Sequence, residues 1–389
     1  MRPTPRRLLV VGSIAACASA AVAVPVLAAG HDDLVAVTAA QGTPVPGRYI
    51  VTLRDGASPK TAAGRVNASG TRSFSGALNG FVAKLTASQL DKLRRDKSVA
   101  AIEQDQIVKA DTTQKSPLPW GLDRIDQRSR TLSKSYTYKS NGSGVNAYII
   151  DTGIDAGHAD FGGRASVAWW APDTFTDGND CNGHGTHVAG ILGSKTYGAA
   201  KGVKLRALRV LDCDGSGYMS DVVAAANWLK TNAVKPAVAN LSLGGAKSTA
   251  VNTALTNLSK SGVFVSVAAG NDNKNACNYS PASAGWVEAV GATTSYDNKA
   301  SFSNYGSCVD IQAPGYGITS TWPGGGHQVE SGTSMASPYV AGVAALYLAT
   351  HKTATFPTVQ KWLADNSTKN VVKKLPSGTA NRLLYKAGL

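Results

Sequence analysis

The sequence predicts an α/β protein of three layers, with a mainly parallel central sheet covered by helices on both faces, preceded by a small α+β unit. Two observations carry this. Near-continuous apolar runs at 145–150, 205–211, 237–243 and 263–268 alternate with helical stretches near 220–231 and 249–261, as expected for strands buried on both faces between crossover helices. Residues 45–108 follow another pattern, and the polar linker 111–116 with Pro117 and Pro119 separates them from the rest.

In the first unit, 48–53 reads as a strand ended by Asp55-Gly56, and 78–85 as a second strand with alternating ends. Thr86 caps a helix over 87–95 with Leu90 and Leu93 on one face, and 99–108 is a further strand. In the second unit, Asp151 and Asn271 follow the carboxyl ends of predicted strands, where parallel sheets place ligand and catalytic groups.

Composition narrows the function classes. The chain has 389 residues, 43% hydrophobic and 16% charged, which suits a large core and excludes a disordered chain. The net charge of +14 divides into +3 over 1–30, +4 over 31–110 and +7 over 111–389, with no block of like charge. Nucleic-acid binders cluster their basic residues, so no nucleic-acid partner is expected. Residues 1–29 have the form of a cleaved signal peptide: Arg2, Arg6 and Arg7, an apolar stretch over 8–23, then Pro25 and Val26-Leu27-Ala28. Its removal takes Cys17 and leaves Cys181, Cys213, Cys277 and Cys308, which in an exported chain read as two disulfides of open connectivity.

Three segments carry chemistry. Asp151 ends a strand in Ile150-Asp151-Thr152-Gly153. His184 lies in Asn182-Gly183-His184-Gly185-Thr186-His187. Ser334 lies in Gly332-Thr333-Ser334-Met335-Ala336-Ser337-Pro338, opening a helix over 339–348. A serine hydroxyl attacks only when a base takes its proton, and a buried carboxylate must orient that base. Taken singly, the three read as a turn cap, a structural histidine and a helix cap.

Taken together, these blocks resemble those of subtilisin-type serine proteases, in the chain order Asp, His, Ser. Trp120-Gly121-Leu122-Asp123-Arg124-Ile125-Asp126, Leu211-Asp212-Cys213-Asp214-Gly215-Ser216-Gly217 and Cys277-Asn278-Tyr279-Ser280-Pro281 are similar to the aqualysin-like members of the proteinase K branch, over residues 117–389. The resemblance implies a subtilisin-like fold and a secreted, monomeric serine endopeptidase that acts on proteins and peptides. It implies Asp151, His184 and Ser334 as the catalytic triad, a structural His187, and Asn271 in the oxyanion hole. Gly215, Ser216, Gly217, Ser242, Leu243 and Gly244 would pair with extended substrate. Ala268, Ala269 and Gly270 would line an apolar, uncharged pocket, giving broad cleavage after aromatic or aliphatic residues.

The same resemblance implies the pairs Cys181–Cys213 and Cys277–Cys308, no organic cofactor, and a calcium ion held by the carbonyls of Gly285 and Val287 with the Asp310 carboxylate. A second calcium site would use Asp123, Asp126 and Gln127, but Ser133 stands where relatives have another aspartate. Residues 30–110 resemble a ferredoxin-like inhibitory propeptide, an intramolecular chaperone whose Ile107-Val108-Lys109-Ala110 would lie in the active site. Processing is expected near Ala110–Asp111, and 111–389 form the catalytic domain, not membrane-bound once mature. Two other readings were weighed. An esterase needs Gly-x-Ser-x-Gly, which is absent around Ser334, and a silent subtilase used for binding needs a lost catalytic group.

Overall fold

A computed structural model describes residues 34–40, 44–110 and 119–389. The expected signal peptide, the linker 111–116 and the far side of the expected processing point lie outside the described residues. Two-residue β1 (Val37–Thr38) is followed by β2 (Pro44–Leu53), α1 (Pro59–Gly64), β3 (Ser69–Ser75), β4 (Asn79–Lys84), α2 (Ala87–Arg94) and β5 (Val99–Ala110). Strands β3, β4, β2 and β5 pair antiparallel in that order, and β1 lies parallel to β5. Thr86 and Gln89 form a reciprocal capping box at the start of α2.

Side chains alternate between the faces of a strand, and here the two faces have different partners. Val51, Leu53 and Phe81 join Ala62, Leu93 and Ile102 in a core of the unit's own. Ile50, Phe74, Leu78 and Val82 instead enter a core shared with the helices beyond the linker.

The second part contains α3 (Trp120–Ile125), β6 (Asn146–Asp151), β7 (Ala165–Trp170), α4 (His184–Gly193), β8 (Lys204–Arg209), β9 (Ser216–Tyr218), α5 (Met219–Asn232), β10 (Ala237–Leu241), β11 (Leu243–Ala246), α6 (Thr249–Lys260), β12 (Val263–Ala268), β13 (Tyr279–Ser280), β14 (Glu288–Thr293), β15 (Ile311–Pro314), β16 (Ile318–Trp322), β17 (Gly326–Glu330), α7 (Thr333–Thr350), α8 (Phe356–Asn366), β18 (Thr368–Lys369) and β19 (Arg382–Leu383). Its sheet runs β7-β8-β6-β10-β12-β14-β15-β19-β18, parallel except for the final β19–β18 pair. Ile149, Val238 and Val290 face α4 and α7 with Val188, Ile191 and Val340. Ile150, Ala239 and Val265 face α5 and α6 with Val222 and Leu255. The apolar runs are continuous because each face is roofed.

Two boundaries differ from the sequence reading. The run 237–243 is two strands: β10 ends at Leu241, and β11 leaves the sheet after Ser242. The helix expected over 339–348 begins at Thr333, with Pro338 inside it. Proline has no N–H to give the carbonyl four residues back, which is Ser334 O. Ser242 Oγ–H donates to that carbonyl at 2.7 Å instead, so the helix continues through the proline.

Two disulfides, Cys181–Cys213 and Cys277–Cys308, are formed. Arg124 in α3 is wholly buried and donates twice to the Asp297 carboxylate, at 2.8 and 3.1 Å, fastening the start of this part to the turn after β14. Removing one partner of such a pair would strand the other charge in the core.

Candidate active site

Asp151 is the last residue of β6 and His184 the first of α4, and both are fully buried. Asp151 Oδ1 and His184 Nδ1 are 2.7 Å apart. A proton on Nδ1, donated to the carboxylate, makes the other ring nitrogen the basic one. Asp151 Oδ1 also accepts the Thr152 N–H at 2.7 Å, while Oδ2 accepts nothing among the described residues.

The turn before α4 is held by Asp180, which sequence reasoning missed. Its Oδ1 accepts from Asn182 N–H, Gly183 N–H and Thr152 Oγ–H at 2.8–3.0 Å, and its Oδ2 accepts from the N–H and Oγ–H of Thr186. Asp180 thus caps α4 and ties it to the end of β6. A Cβ on Gly185 would lie 2.1 Å from Gly153 O, so the glycine is what allows helix and strand end to approach. The Trp322 ring covers Gly183, which has φ +110°.

Ser334 lies in the first turn of α7, where backbone N–H groups have no partner within the helix. Its Oγ–H donates to Ser242 O at 3.1 Å. Asn271 follows β12. Its Oδ1 accepts both the N–H and the Oγ–H of Thr333, at 2.9 and 3.0 Å, and its buried Nδ2 has no partner among the described residues. Thr333 therefore fixes which way the amide points, with both Nδ2 hydrogens left to donate elsewhere. The structure joins Asp151 to His184 directly, and Asn271 to the Ser334 turn through Thr333.

The last residues of β5 lie between β9 and β11. Ile107, Val108 and Lys109 pair antiparallel with Tyr218, Gly217 and Ser216, while Lys109 and Ala110 pair with Gly244 and Leu243. Gly215 does not take part; at φ +74° it forms the turn into β9. Upstream, Glu103 reaches the start of α6 and Asp105 the start of α5. Both carboxyls are pushed above their ordinary range by burial.

The chain matches the subtilase family model over residues 142–383 and the peptidase inhibitor I9 model over 48–111. It belongs to the subtilase family. It is 51% identical over 314 residues to the "Extracellular serine proteinase" of Thermus sp. (strain Rt41A), covering 80% of this chain and 76% of that one. It is 42% identical over 355 residues to "Proteinase R" of Parengyodontium album, covering 89% and 90%. A crystal structure of a cold adapted subtilisin-like serine proteinase superimposes with a TM-score of 0.67 at 49% identity, covering 69% of this chain and 97% of that one. This subtilase is a serine endopeptidase that carries an inhibitor region of its own.

Beside the site is a cavity of about 90 Å³ lined by Gly244, Ala268, Ala269, Gly270 and Tyr279. Asp272 also lies at its edge. Asn304 brings Asp272 there: its side-chain oxygen accepts the Asp272 and Lys274 N–H groups, and the loop winds around it.

Among the described residues no three His, Cys, Asp or Glu side chains converge, so a cation site there would add other oxygens, such as backbone carbonyls, side-chain amides or water, to one or two carboxylates. Asp310 Oδ2 accepts Ala289 N–H at 2.9 Å, and burial raises its carboxyl to about 6. Next to it Glu288, absent from the sequence reading, is buried with Oε2 unpartnered, and burial and the Asp310 charge raise its pKa well above the ordinary value. Buried Glu288 and half-buried Asp310 are oxygen donors of the kind a hard divalent cation takes, although Gly285 O already accepts Thr256 Oγ–H at 2.7 Å. At the second expected position the fit fails. Asp123 is already satisfied by Ser133 N–H and Oγ–H at 2.9 Å and by Lys134 N–H.

His187, one turn after His184, shares its Nε2 proton between the carbonyls of Ile318 and Gln328 at 3.1 Å, holding α4 to the β16–β17 hairpin. Burial pushes its pKa down to about 3, whereas an unfolded histidine titrates near 6.5. The unfolded state therefore takes up the proton first. This contribution to stability is complete above about pH 6.5 and is lost as pH falls toward about 3, by up to ~5 kcal/mol. With Ser334→Ala in both chains to prevent self-digestion, urea unfolding midpoints between pH 7 and pH 4 should fall less steeply once His187→Gln is added. Equal slopes would contradict this assignment.

Proposed function

We propose that this subtilase is exported, cuts itself free of residues 30–110, and as the 111–389 enzyme hydrolyses peptide bonds of broad sequence. The observation that carries the reading is β5 itself. An extended strand from the inhibitor region is paired on both edges and ends against Leu243, next to Ser242, whose carbonyl accepts the Ser334 hydroxyl. This is where the acyl side of a substrate would lie. The N-terminal leader pattern and the extracellular naming of a close relative support export. No described helix is long and apolar enough to cross a membrane.

In this mechanism Ser334 Oγ attacks the scissile carbonyl as its proton passes to His184, and Asp151 stabilises the resulting imidazolium. The carbonyl oxygen becomes an oxyanion, held by Asn271 Nδ2 and the Ser334 N–H. His184 returns the proton to the leaving amine as the C–N bond breaks. Water then attacks the acyl-enzyme, giving its proton to His184, and Ser334 leaves as the free hydroxyl. Gly215 forms the turn into β9, Ser216, Gly217, Leu243 and Gly244 pair with substrate backbone, and Ser242 supplies a carbonyl. Ala268, Ala269 and Gly270 wall an aromatic or aliphatic side chain. Calcium, held by Asp310 with the carbonyls of Gly285 and Val287, would neutralise the buried carboxyls and fix the β14–β15 edge, with no part in bond breaking.

Intact mass of the secreted protein tests the reading. The wild-type chain should begin near residue 111, whereas Ser334→Ala should remain joined to its inhibitor region. Identical trimming of both would assign maturation to another protease.

Asn271→Gly should lower kcat by about 10²–10³-fold with KM little changed, because the donor acts chiefly on the developing oxyanion. A change confined to KM would place Asn271 in ground-state binding.

Chelation should lower the melting temperature while leaving the initial rate of the still-folded enzyme nearly constant. Lost activity at an unchanged melting temperature would contradict a structural calcium.

A further inference from the structure

Glu103 and Asp105 lie two residues apart on β5, hence on one face of the strand, yet their seats differ. Glu103 is buried, and all its donors come from beyond the linker: Ser248 Oγ–H, Ala250 N–H at 3.2 Å and Thr249 N–H. The first turn of α6 carries no acidic residue. Asp105 accepts from Ser220 N–H and Oγ–H at 3.1 and 2.6 Å, but its cation, Arg48 at 2.8 Å, belongs to its own unit. Asp221 in the first turn of α5 repels it. The Glu103 seat is thus complete within the protease part; the Asp105 seat is not.

We infer that Ser248, Thr249 and Ala250 at the start of α6 form a substrate subsite for a carboxylate borne seven residues before the residue paired with Leu243. The inference rests on the reading that 30–110 depart and that substrates take the place of β5. Three residues separate Glu103 from Ile107, where pairing with β9 begins, and Gln106 Nε2 already donates to Ala246 O at 3.0 Å. An extended peptide held at the edge strands therefore reaches α6. In the intact chain the covering sheet keeps water from Glu103 and raises its pKa. A linear peptide brings no such cover and meets the same donors.

The test uses enzyme matured from the full chain and synthetic peptides copying residues 99–116, as the parent, with Glu103→Gln, with Asp105→Asn, and shortened to 106–116. Glu103→Gln should raise KM about fivefold, the factor corresponding to ~1 kcal/mol for a helix cap, with kcat unchanged. Asp105→Asn should leave KM unchanged or lower it, since Arg48 is absent and Asp221 remains. In Ser248→Ala enzyme the gap between the parent and Glu103→Gln peptides should narrow. Equal KM for those two peptides on the wild-type enzyme, or a gap untouched by Ser248→Ala, overturns the subsite. If the shortened peptide is not cut at all, the hydrolase reading fails instead.

Discussion

The arrangement depends on keeping a carboxylate and an imidazole together out of water. Asp151 and His184 are fully buried at a separation of 2.7 Å, and a buried charge is tolerated only where its surroundings are fixed. That constraint explains the neighbourhood. Asp180 cannot release the turn before α4 without losing five donors. Gly185 cannot carry a side chain, and Trp322 closes over Gly183. His187 ties the same helix to β16 and β17, with Ser320 and Thr321 donating to α4 carbonyls at 2.7 and 2.8 Å. The histidine ring is positioned from three sides by groups that need never touch a substrate.

A second constraint links Ser334 to the strand edge that pairs with β5. Pro338 frees Ser334 O, Ser242 Oγ–H takes it, and Ser334 Oγ–H in turn donates to Ser242 O. This reciprocal pair sits where the backbone leaves β10 for β11. The residue that supports the serine therefore adjoins Leu243, the edge residue that pairs with β5. A shift of this edge would move the serine, so the two are placed together.

Much of this was legible in the chain. Apolar runs fixed the sheet because parallel strands roofed on both faces leave no polar alternation to misread, and Asp151 and Asn271 could be placed at strand ends for the same reason. The rest depended on long-range contact. β3 spells Ser69-Gly70-Thr71-Arg72-Ser73-Phe74-Ser75, with Phe74 its one buried residue, and carries almost no apolar signal. The start of α7 was obscured by Pro338, whose missing hydrogen bond is replaced from 92 residues away. Asp180 looks like a loop acid until its donors are counted. Glu288 opens a strand that continues Ala289-Val290-Gly291-Ala292, and Asp272 stands beside a wall of small residues, so only the fold reveals the charges near the expected cation position and the pocket.

On the function proposed above, substrate and inhibitor share the same edges, so what separates them lies upstream of Ile107. A linear product is held by backbone pairing and, where it bears the right carboxylate, by the one seat at α6, and it leaves when its two ends are free. β5 is also an internal strand of its own sheet, between β2 and β1. Its unit adds Ile50, Phe74, Leu78 and Val82 to the core beneath it, and its two acids reach the ends of α5 and α6. Cutting one bond near Ala110 releases none of these. The freed strand end is therefore returned to the site at high effective concentration, and a segment with the geometry of a product acts as an inhibitor.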